Sequence, residues 1–431
     1  MSGPVYGGDE VNAVVLDLGT LQVKAGYAGE DTPKYVFPSL VGVLGGGGPD
    51  GMEVDGAKRT LHVGTHALSH RRDGMEVVSP FKDGILQDWE KAEGLLEHAL
   101  KQQMRLETSS HPVMLAEPSC NTKEAREKAV ELLFEKYGSP AVFMAKNAVL
   151  SSFSTGRQTS LVVDAGHDRT VVAAVHDGYV LQKSVVSTPL AGRLLSQCMV
   201  ATVEGKGTQI RPRYEFTRKE GPGGKLEVFP VDASGTTASY RQWCVEAIAG
   251  DIKEATCRVS DNVFDPEENA NIPTVLYELP DGQEIAIGTD RFAIPEVLFN
   301  PLLLPNYPAA AEALRAAGGS AEGLQGIHQL VNEVINKCDV DIRKDLYGGV
   351  VLTGGTAGFV ALRDRLEKEV TDLAPQMAKV KVICPANSVE RRYSVWIGGS
   401  ILASLGTFQQ MWMSKAEYAE YGAGLIHKKA P

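Results

Sequence analysis

Ala13-Val14-Val15-Leu16-Asp17-Leu18-Gly19-Thr20, with the apolar and small run from Val23 to Ala28 behind it, spells a buried strand, a tight turn at Gly19 and a returning strand. The same grammar returns 147 positions later as Leu161-Val162-Val163, then Asp164-Ala165-Gly166, then Val171-Val172-Ala173-Ala174-Val175 and a turn at Asp177-Gly178. A spacing that large is no solenoid period, and it predicts two related domains facing each other. Helices alternate with these strands. Asn121 is placed to cap a helix with Glu124 three positions on, and Ala125, Ala129, Leu132 and Leu133 form an apolar stripe that stops before Gly138. Ile327, Leu330, Val331, Val334 and Ile335 repeat the helical spacing ahead of a strand, Val350-Val351-Leu352, that runs into Gly354-Gly355. An α/β architecture follows.

At ~150 residues per domain, the 431-residue chain has room for about three core-sized units and needs no disulfide or metal staples. Lysine plus arginine number 43 against 54 aspartates plus glutamates; the net charge of -11 opposes direct binding of a nucleic-acid backbone. The opening MSGPVYGGDEV has neither the basic start nor the apolar stretch of a leader, and no later run is long enough to span a membrane, so a soluble intracellular protein is expected. Cys120, Cys198, Cys244, Cys257, Cys338 and Cys384 are scattered without a C-x-x-C pair, which predicts reduced, mostly buried thiols. Three stretches, near 44–59, 204–239 and 305–326, resist assignment and read as surface insertions. The second contains Arg211, Arg213, Arg218 and Lys219, diluted by Glu215 and Glu220; a solvated loop is expected there rather than a DNA or histone-tail contact. His62, His66 and His70 have four-residue spacing, but their glycine and β-branched neighbours argue against the helix a metal site would need.

The chemistry sits at the turns. Glycine turns at strand ends let backbone N–H groups approach phosphates, and Asp17-x-Gly19 and Asp164-x-Gly166 supply two of them. Their aspartates suit a hard cation bridging phosphates, Lys24 offsets phosphate charge, and Gly354-Gly355-Thr356 offers a third turn for an adenosine. One Asp-x-Gly among 45 glycines is ordinarily only a hairpin turn. The pairing and the third turn make nucleotide binding a serious reading.

These residues carry a resemblance. Asp17-Leu18-Gly19-Thr20 followed by Val23-Lys24-Ala25-Gly26-Tyr27-Ala28-Gly29 resembles the first phosphate loop of actin. Lys337-Cys338-Asp339-Val340-Asp341-Ile342-Arg343-Lys344-Asp345-Leu346-Tyr347 is similar to actin almost letter for letter, as is the tail from Tyr393-Ser394-Val395-Trp396 through Thr407-Phe408-Gln409-Gln410-Met411-Trp412. The likeness runs over about 11–427, broken mainly by the three insertions. The opening Tyr6-Gly7-Gly8-Asp9-Glu10-Val11 and the altered active site resemble the nuclear actin-related protein four class, actin-like subunits of chromatin-remodelling and histone-acetyltransferase assemblies.

The resemblance implies the actin-like two-domain ATPase fold, with duplicated ribonuclease-H-like domains around a nucleotide cleft. It divides the chain into an outer domain of 1–153 plus 394–431 and an inner domain of 154–393. It puts Asp17, Gly19, Thr20 and Lys24 at the first phosphate loop and Asp164 with Gly166 at the second. Gly192, Lys253, Glu254, Gly354, Gly355 and Phe359 fall along the pocket, and Arg392 stands where actin has a lysine near the base. The implied cofactor is ATP with magnesium or calcium, the cation held at Asp17 and Asp164 through the nucleotide.

No catalytic residue is expected. Asn147 stands where actin has the glutamine that places the attacking water, and Val171 where it has an assisting histidine; asparagine is a methylene shorter and valine neither donates nor accepts. His167-Asp168 replaces Asp-Gly in the second loop, and Leu21 replaces a glycine in the first. The partner surface is better kept. Phe153, Gly156, Gly178, Tyr179, Leu402, Leu405, Thr407 and Met411 match an apolar groove that receives amphipathic helices. By resemblance, the occupant is the helicase-SANT-associated helix of a remodelling motor, shared with an actin monomer. The changed loops near 42–64 and 305–326 remove the repeating surface an open polymer needs. The expectation is therefore a non-polymerising nuclear scaffold that touches chromatin indirectly. Its rivals are an ATP-hydrolysing cytoskeletal actin relative, opposed by Asn147 and Val171, and a sugar-kinase-like phosphotransferase, opposed by the actin-like tail.

Overall fold

The computed structural model describes residues 13–45, 59–221, 226–267, 269 and 272–431. Two mixed sheets dominate it. In the first, the strands run in the order Met413–Ser414, Ala141–Lys146, Val113–Glu117, Val14–Leu18, Gln22–Tyr27, Tyr35–Pro38. In the second they run Tyr179–Val180, Thr170–His176, Ser160–Ala165, Val350–Thr353, Val382–Ile383, with Val186–Thr188 also pairing with Thr170–His176. Each sheet is built on the hairpin legible in the sequence, and each hairpin's first strand lies parallel to a later strand: Val14–Leu18 to Val113–Glu117, and Ser160–Ala165 to Val350–Thr353. Parallel pairing requires a crossover, which is why helices alternate with the strands. Val14, Val15, Leu16, Val162 and Val163 have no exposed surface, as expected of strands covered on both faces.

Two large cores follow. One gathers the strands near the N-terminus with Trp396, Phe408, Trp412 and Ile426 of the tail; the other holds the helix Gly192–Gly205, the helix Ile327–Asn336 and the second sheet. The returning helix Ser388–Ser404 crosses the helix Asn147–Ser154 backbone to backbone: a Cβ on Gly398 would lie 1.9 Å from the Leu150 carbonyl oxygen. Beside this crossing, buried Trp396 donates Nε1–H to the Val15 carbonyl at 3.0 Å.

Several local expectations hold. Ile327, Leu330, Val331, Val334 and Ile335 are the buried stripe of their helix. All six cysteines are free; Cys198, Cys257 and Cys338 are buried and the other three half-buried. Among the described residues no helix is long and apolar enough to cross a membrane.

Others need correction. The first-domain helix is Lys123–Glu131, and its cap is Thr122, whose hydroxyl accepts from the Ala125 N–H; Asn121 instead donates Nδ2–H to Glu117 at 2.8 Å. The reading of the histidines needs none: His62 lies on the strand Thr60–Val63 and His66 in the short helix Thr65–Ser69, so the three do not share a helical face, as their neighbours argued. Most of the 44–59 stretch lies outside the described residues. The 305–326 stretch is mostly exposed but is not a plain loop: Pro308 opens the helix Pro308–Ala316, which buries Ala310 and Leu314 in the second domain. Proline belongs at that first helical position, where its missing N–H has no partner to lose. The 204–239 stretch contains an antiparallel hairpin, Phe216–Glu220 with Leu226–Pro230, and beyond it the chain reaches across to the first domain.

Candidate functional site

The registers of the two hairpins place their aspartates at equivalent points: Asp17 opposite Lys24, Asp164 opposite Val171. In the first hairpin the Lys24 ammonium donates to Asp17 Oδ2 at 2.8 Å, with both side chains largely buried. The loop that follows is tight, since a Cβ on Gly19 would stand 3.0 Å from the Gln22 carbonyl oxygen and 3.1 Å from Lys24 Nζ. Ser39, which nothing in the sequence singled out, donates its hydroxyl to the Gly19 carbonyl at 2.5 Å and holds this loop from the side. Thr20 is half-buried and Leu21 exposed.

The second hairpin has no cation opposite its carboxylate. Burial, together with the negative charge of Asp17, pushes the Asp164 carboxyl up to about 6 against a smaller opposing effect of Lys24. The loop beyond it is locked from three directions. Gly166 N–H donates to the Arg169 carbonyl, Thr356 donates Oγ1–H to the Gly166 carbonyl at 2.7 Å, and Gly192 N–H donates to that same carbonyl at 3.1 Å. Gly354 has φ +95°, and a Cβ there would lie 2.3 Å from the Ala165 carbonyl oxygen. Only glycine satisfies both demands. At Gly355 a Cβ would meet nothing within 4 Å, so the third turn faces open space. Thr356, read in the sequence as the end of the third turn, thus also fastens the second loop.

Around the pocket, buried Lys253 donates Nζ–H to the Gly192 carbonyl and to Ser196 Oγ, both at 3.0 Å. Its neighbour Glu254 is exposed and pairs with Arg392 at 3.4 Å, while Phe359 is half-buried against the second core. Burial, helped by the positive charges of Lys253 and Arg193, pushes His167 down to about 3, so the ring is neutral at physiological pH and its 3.8 Å approach to Asp168 is no salt bridge. Burial also raises Asp168, against the pull of Arg193.

Asn147 and Val171 face one small space. With Pro118, Ser119, Ala148 and Asp164 they line a cavity of about 30 Å³, room for one water. Asn147 Oδ1 is buried there without a hydrogen-bond partner, an orphan acceptor aimed at that space. Val171 gives the wall no polar atom.

This donor set fits a nucleotide with a divalent cation. The negative charge of Asp17 makes Asp164 harder to ionise, a repulsion that a cation between them would relieve. Among the described residues no group of three His, Cys, Asp or Glu side chains could hold a metal alone, so most of its ligands would be phosphate and water oxygens, as magnesium prefers.

The groove residues divide. Gly156 N–H donates to the Phe153 carbonyl, and a Cβ on Gly178 would lie 3.9 Å from the Phe153 ring, so Phe153, Gly156, Gly178 and neighbouring Tyr179 form one side. Tyr179 is 54% and Leu405 40% exposed, whereas Leu402, at 8%, belongs to the first core. Thr407 is exposed, and Met411 is half-buried against that same core.

A family model described as actin matches residues 8–431. Over 99% of its length the chain is 50% identical to "Actin-related protein 4" of Arabidopsis thaliana and 51% identical to that of Oryza sativa subsp. indica, in each case covering all of the relative. "Actin-related protein 4" of Schizosaccharomyces pombe is 32% identical with both chains fully covered.

Proposed function

Because this chain belongs to the actin family, with the family's two-domain α/β fold, we propose that it is a non-polymerising nuclear scaffold subunit of chromatin-remodelling and histone-acetyltransferase assemblies. It holds ATP structurally and docks the helicase-SANT-associated helix of the motor subunit beside an actin monomer. The observation that carries the reading is the small cavity at the second phosphate loop. The cradle of Gly166, Gly192, Gly354 and Thr356 is intact around Asp164, while the water-sized space beside it has one orphan acceptor, Asn147 Oδ1, and an apolar Val171 wall. Ser119 and Asp164 also line that space, but Val171 gives neither donor nor acceptor on its side, so a water there is oriented less well, and poor orientation alone costs about 10²-fold in rate.

Asp17, Lys24 and the turns at Gly19, Gly166 and Gly354 would hold the phosphates, with Asp17 and Asp164 facing the cation. The cation, when bound, neutralises phosphate charge. Glu254 and Arg392, which pair at 3.4 Å, would line the pocket near the base, as the resemblance implies. On the partner side, exposed Tyr179 and Leu405 offer the apolar anchors of a helix-binding trough.

Two measurements test this. Purified protein should retain ATP stoichiometrically and release phosphate far more slowly than an ordinary enzyme; turnover of order 1 s⁻¹ would overturn the reading. Tagged protein should co-purify with actin and a motor bearing a helicase-SANT-associated helix, and Tyr179→Asp with Leu405→Asp should lose both while remaining folded. Leu402 is a poor choice for this test, since a charge there breaks the core.

A further inference from the structure

We propose that the cleft between Arg157, Lys344 and Lys379 is a second anion site, separate from the nucleotide pocket, for a small phosphorylated polyol. Ser160–Ala165 and Val350–Thr353 run parallel, with Leu161 beside Val350 at one end and Asp164 beside Thr353 at the other. Asp164 and Gly354 lie at the nucleotide end, whereas this cleft, of about 550 Å³, opens where the two strands begin. Four residue steps, about 13 Å of strand, separate Ser160 from Asp164. Three segments build the cleft. Arg157 lies in the turn after the helix Asn147–Ser154, Lys344 and Asp345 on the helix Val340–Tyr347, and Met377 and Lys379 on the link from the helix Leu362–Leu373 to the strand Val382–Ile383. Backbone bonds lock the segments together: Leu161 N–H donates to the Gly349 carbonyl at 3.0 Å, Val350 N–H to the Lys381 carbonyl at 3.1 Å, and Lys381 N–H to the Tyr347 carbonyl at 3.0 Å. Arg157 is pinned in turn, since its N–H donates to the Ser152 carbonyl at 3.1 Å and its own carbonyl accepts from Ser152 Oγ at 2.9 Å. A Cβ on Gly349 would lie 3.3 Å from Arg157 Nη1, so the guanidinium rests against bare backbone. A site so fixed loses little freedom when a ligand enters.

The charges are out of character for the chain. Against a net charge of -11, the wall gathers three cations and one carboxylate, Asp345. Among the described residues none of these four side chains has a hydrogen-bond or ion-pair partner. Arg126 and Arg365, by contrast, are each held by a carboxylate. Lys344 sits in the last turn of its helix, where a cation suits the carbonyl ends; Arg157 and Lys379 have no such use. A half-buried guanidinium offers a planar fork of donors that matches a phosphate. The rest of the lining narrows the ligand. A volume of about 550 Å³ suits a small molecule rather than a single ion. Asp345 repels phosphate but accepts from hydroxyls, and Met377, 93% exposed, offers an aliphatic surface to ring carbons. Among the described residues no aromatic side chain lines the cleft, so nothing there stacks a base. Phosphates on a hydroxylated aliphatic ring meet all of these demands, whether the molecule is free or is a lipid headgroup.

The test uses the full-length protein, incubated with ATP and then freed of excess, in calorimetric titrations with inositol trisphosphate and with inorganic phosphate. The trisphosphate should bind one-to-one and at least about tenfold more tightly than phosphate, because it engages several cations at once. Lys344→Gln with Lys379→Gln, both exposed, should weaken it about fivefold or more, and Arg157→Gln about tenfold. Vesicles of phosphatidylcholine carrying a few per cent of the matching phosphoinositide separate the two sources. Vesicle binding that the same variants lose assigns a lipid headgroup; binding of the free trisphosphate alone, lost in the same variants, assigns a soluble ligand. A wild-type protein that binds neither, or that binds inorganic phosphate as tightly as the trisphosphate, overturns the site. So do variants that bind as the wild type does, since the trisphosphate is then held elsewhere. The variants touch no residue of the nucleotide pocket or the partner groove, so ATP retention and co-purification with actin stand or fall independently.

Discussion

The two hairpins at the floor of the cleft are the same device built twice and finished differently. In the first, the residue across from the aspartate is Lys24, and its ammonium neutralises Asp17 at 2.8 Å. In the second, the residue across is Val171, and Asp164 is left to burial and to the repulsion of Asp17, which push its carboxyl up to about 6. One position in the register separates a self-neutralised site from one that awaits a positive charge. The first hairpin carries its own counter-charge; the second carries none across from its aspartate.

That contrast can be broken most forcefully at Lys24. Lys24→Ala strands Asp17 as a buried charge next to Asp164, and loss of one partner of a buried pair costs about 3 kcal/mol or more. Urea unfolding should register that loss, and calorimetric titration should find ATP binding weakened by at least about 10²-fold; an unchanged urea midpoint would mean the pair is not the first loop's anchor. The converse variant, Asn147→Gln with Val171→His, gives the second hairpin a longer amide and a proton-accepting ring across from Asp164. Phosphate release should rise at least about tenfold, and no rise would mean that the cavity is not where an attacking water sits.

The smallest effect is a pH dependence. The native Asp164 carboxyl holds its proton more tightly than the unfolded chain, whose ordinary value is 3.8. Its favourable contribution is therefore full below about 3.8 and lost as the pH rises through about 6. Asp164→Asn should raise the melting temperature of nucleotide-free protein by about 2–4 °C at pH 7.5 and leave it nearly unchanged at pH 3.5. Equal shifts at both pH values would show that the carboxylate is not under strain.

The hairpins were legible because a buried aliphatic run ending in Asp-x-Gly is a local signal, and the third turn at Gly354-Gly355 was legible for the same reason. The cap at Thr122 was missed by one position because Asn121 and Thr122 are both good caps, and Glu117, at the end of the preceding strand, claims Asn121. The stretch near 305–326 misled by composition: proline, alanine and glycine suggest a loop, yet Pro308 starts a helix, and Ala310 with Leu314 forms its buried face. The charged stretch near 204–239 misled more deeply. Arg218 and Lys219 do lie on a polar hairpin, but the partners of Thr237, Ser239 and Tyr240 are more than 160 positions away, beyond any periodicity. In the groove, Leu402 and Leu405 follow the same helical turn and look alike in sequence; only the packing sends one into the core and leaves the other at the surface.

The crossing at Gly398 leaves no slack where two helices of the first core meet. Two backbones touch there with no side chain between them, so any Cβ must displace the Leu150 carbonyl. The joint accepts one residue type, and an alanine there would unseat the helix that carries Trp396 into the core.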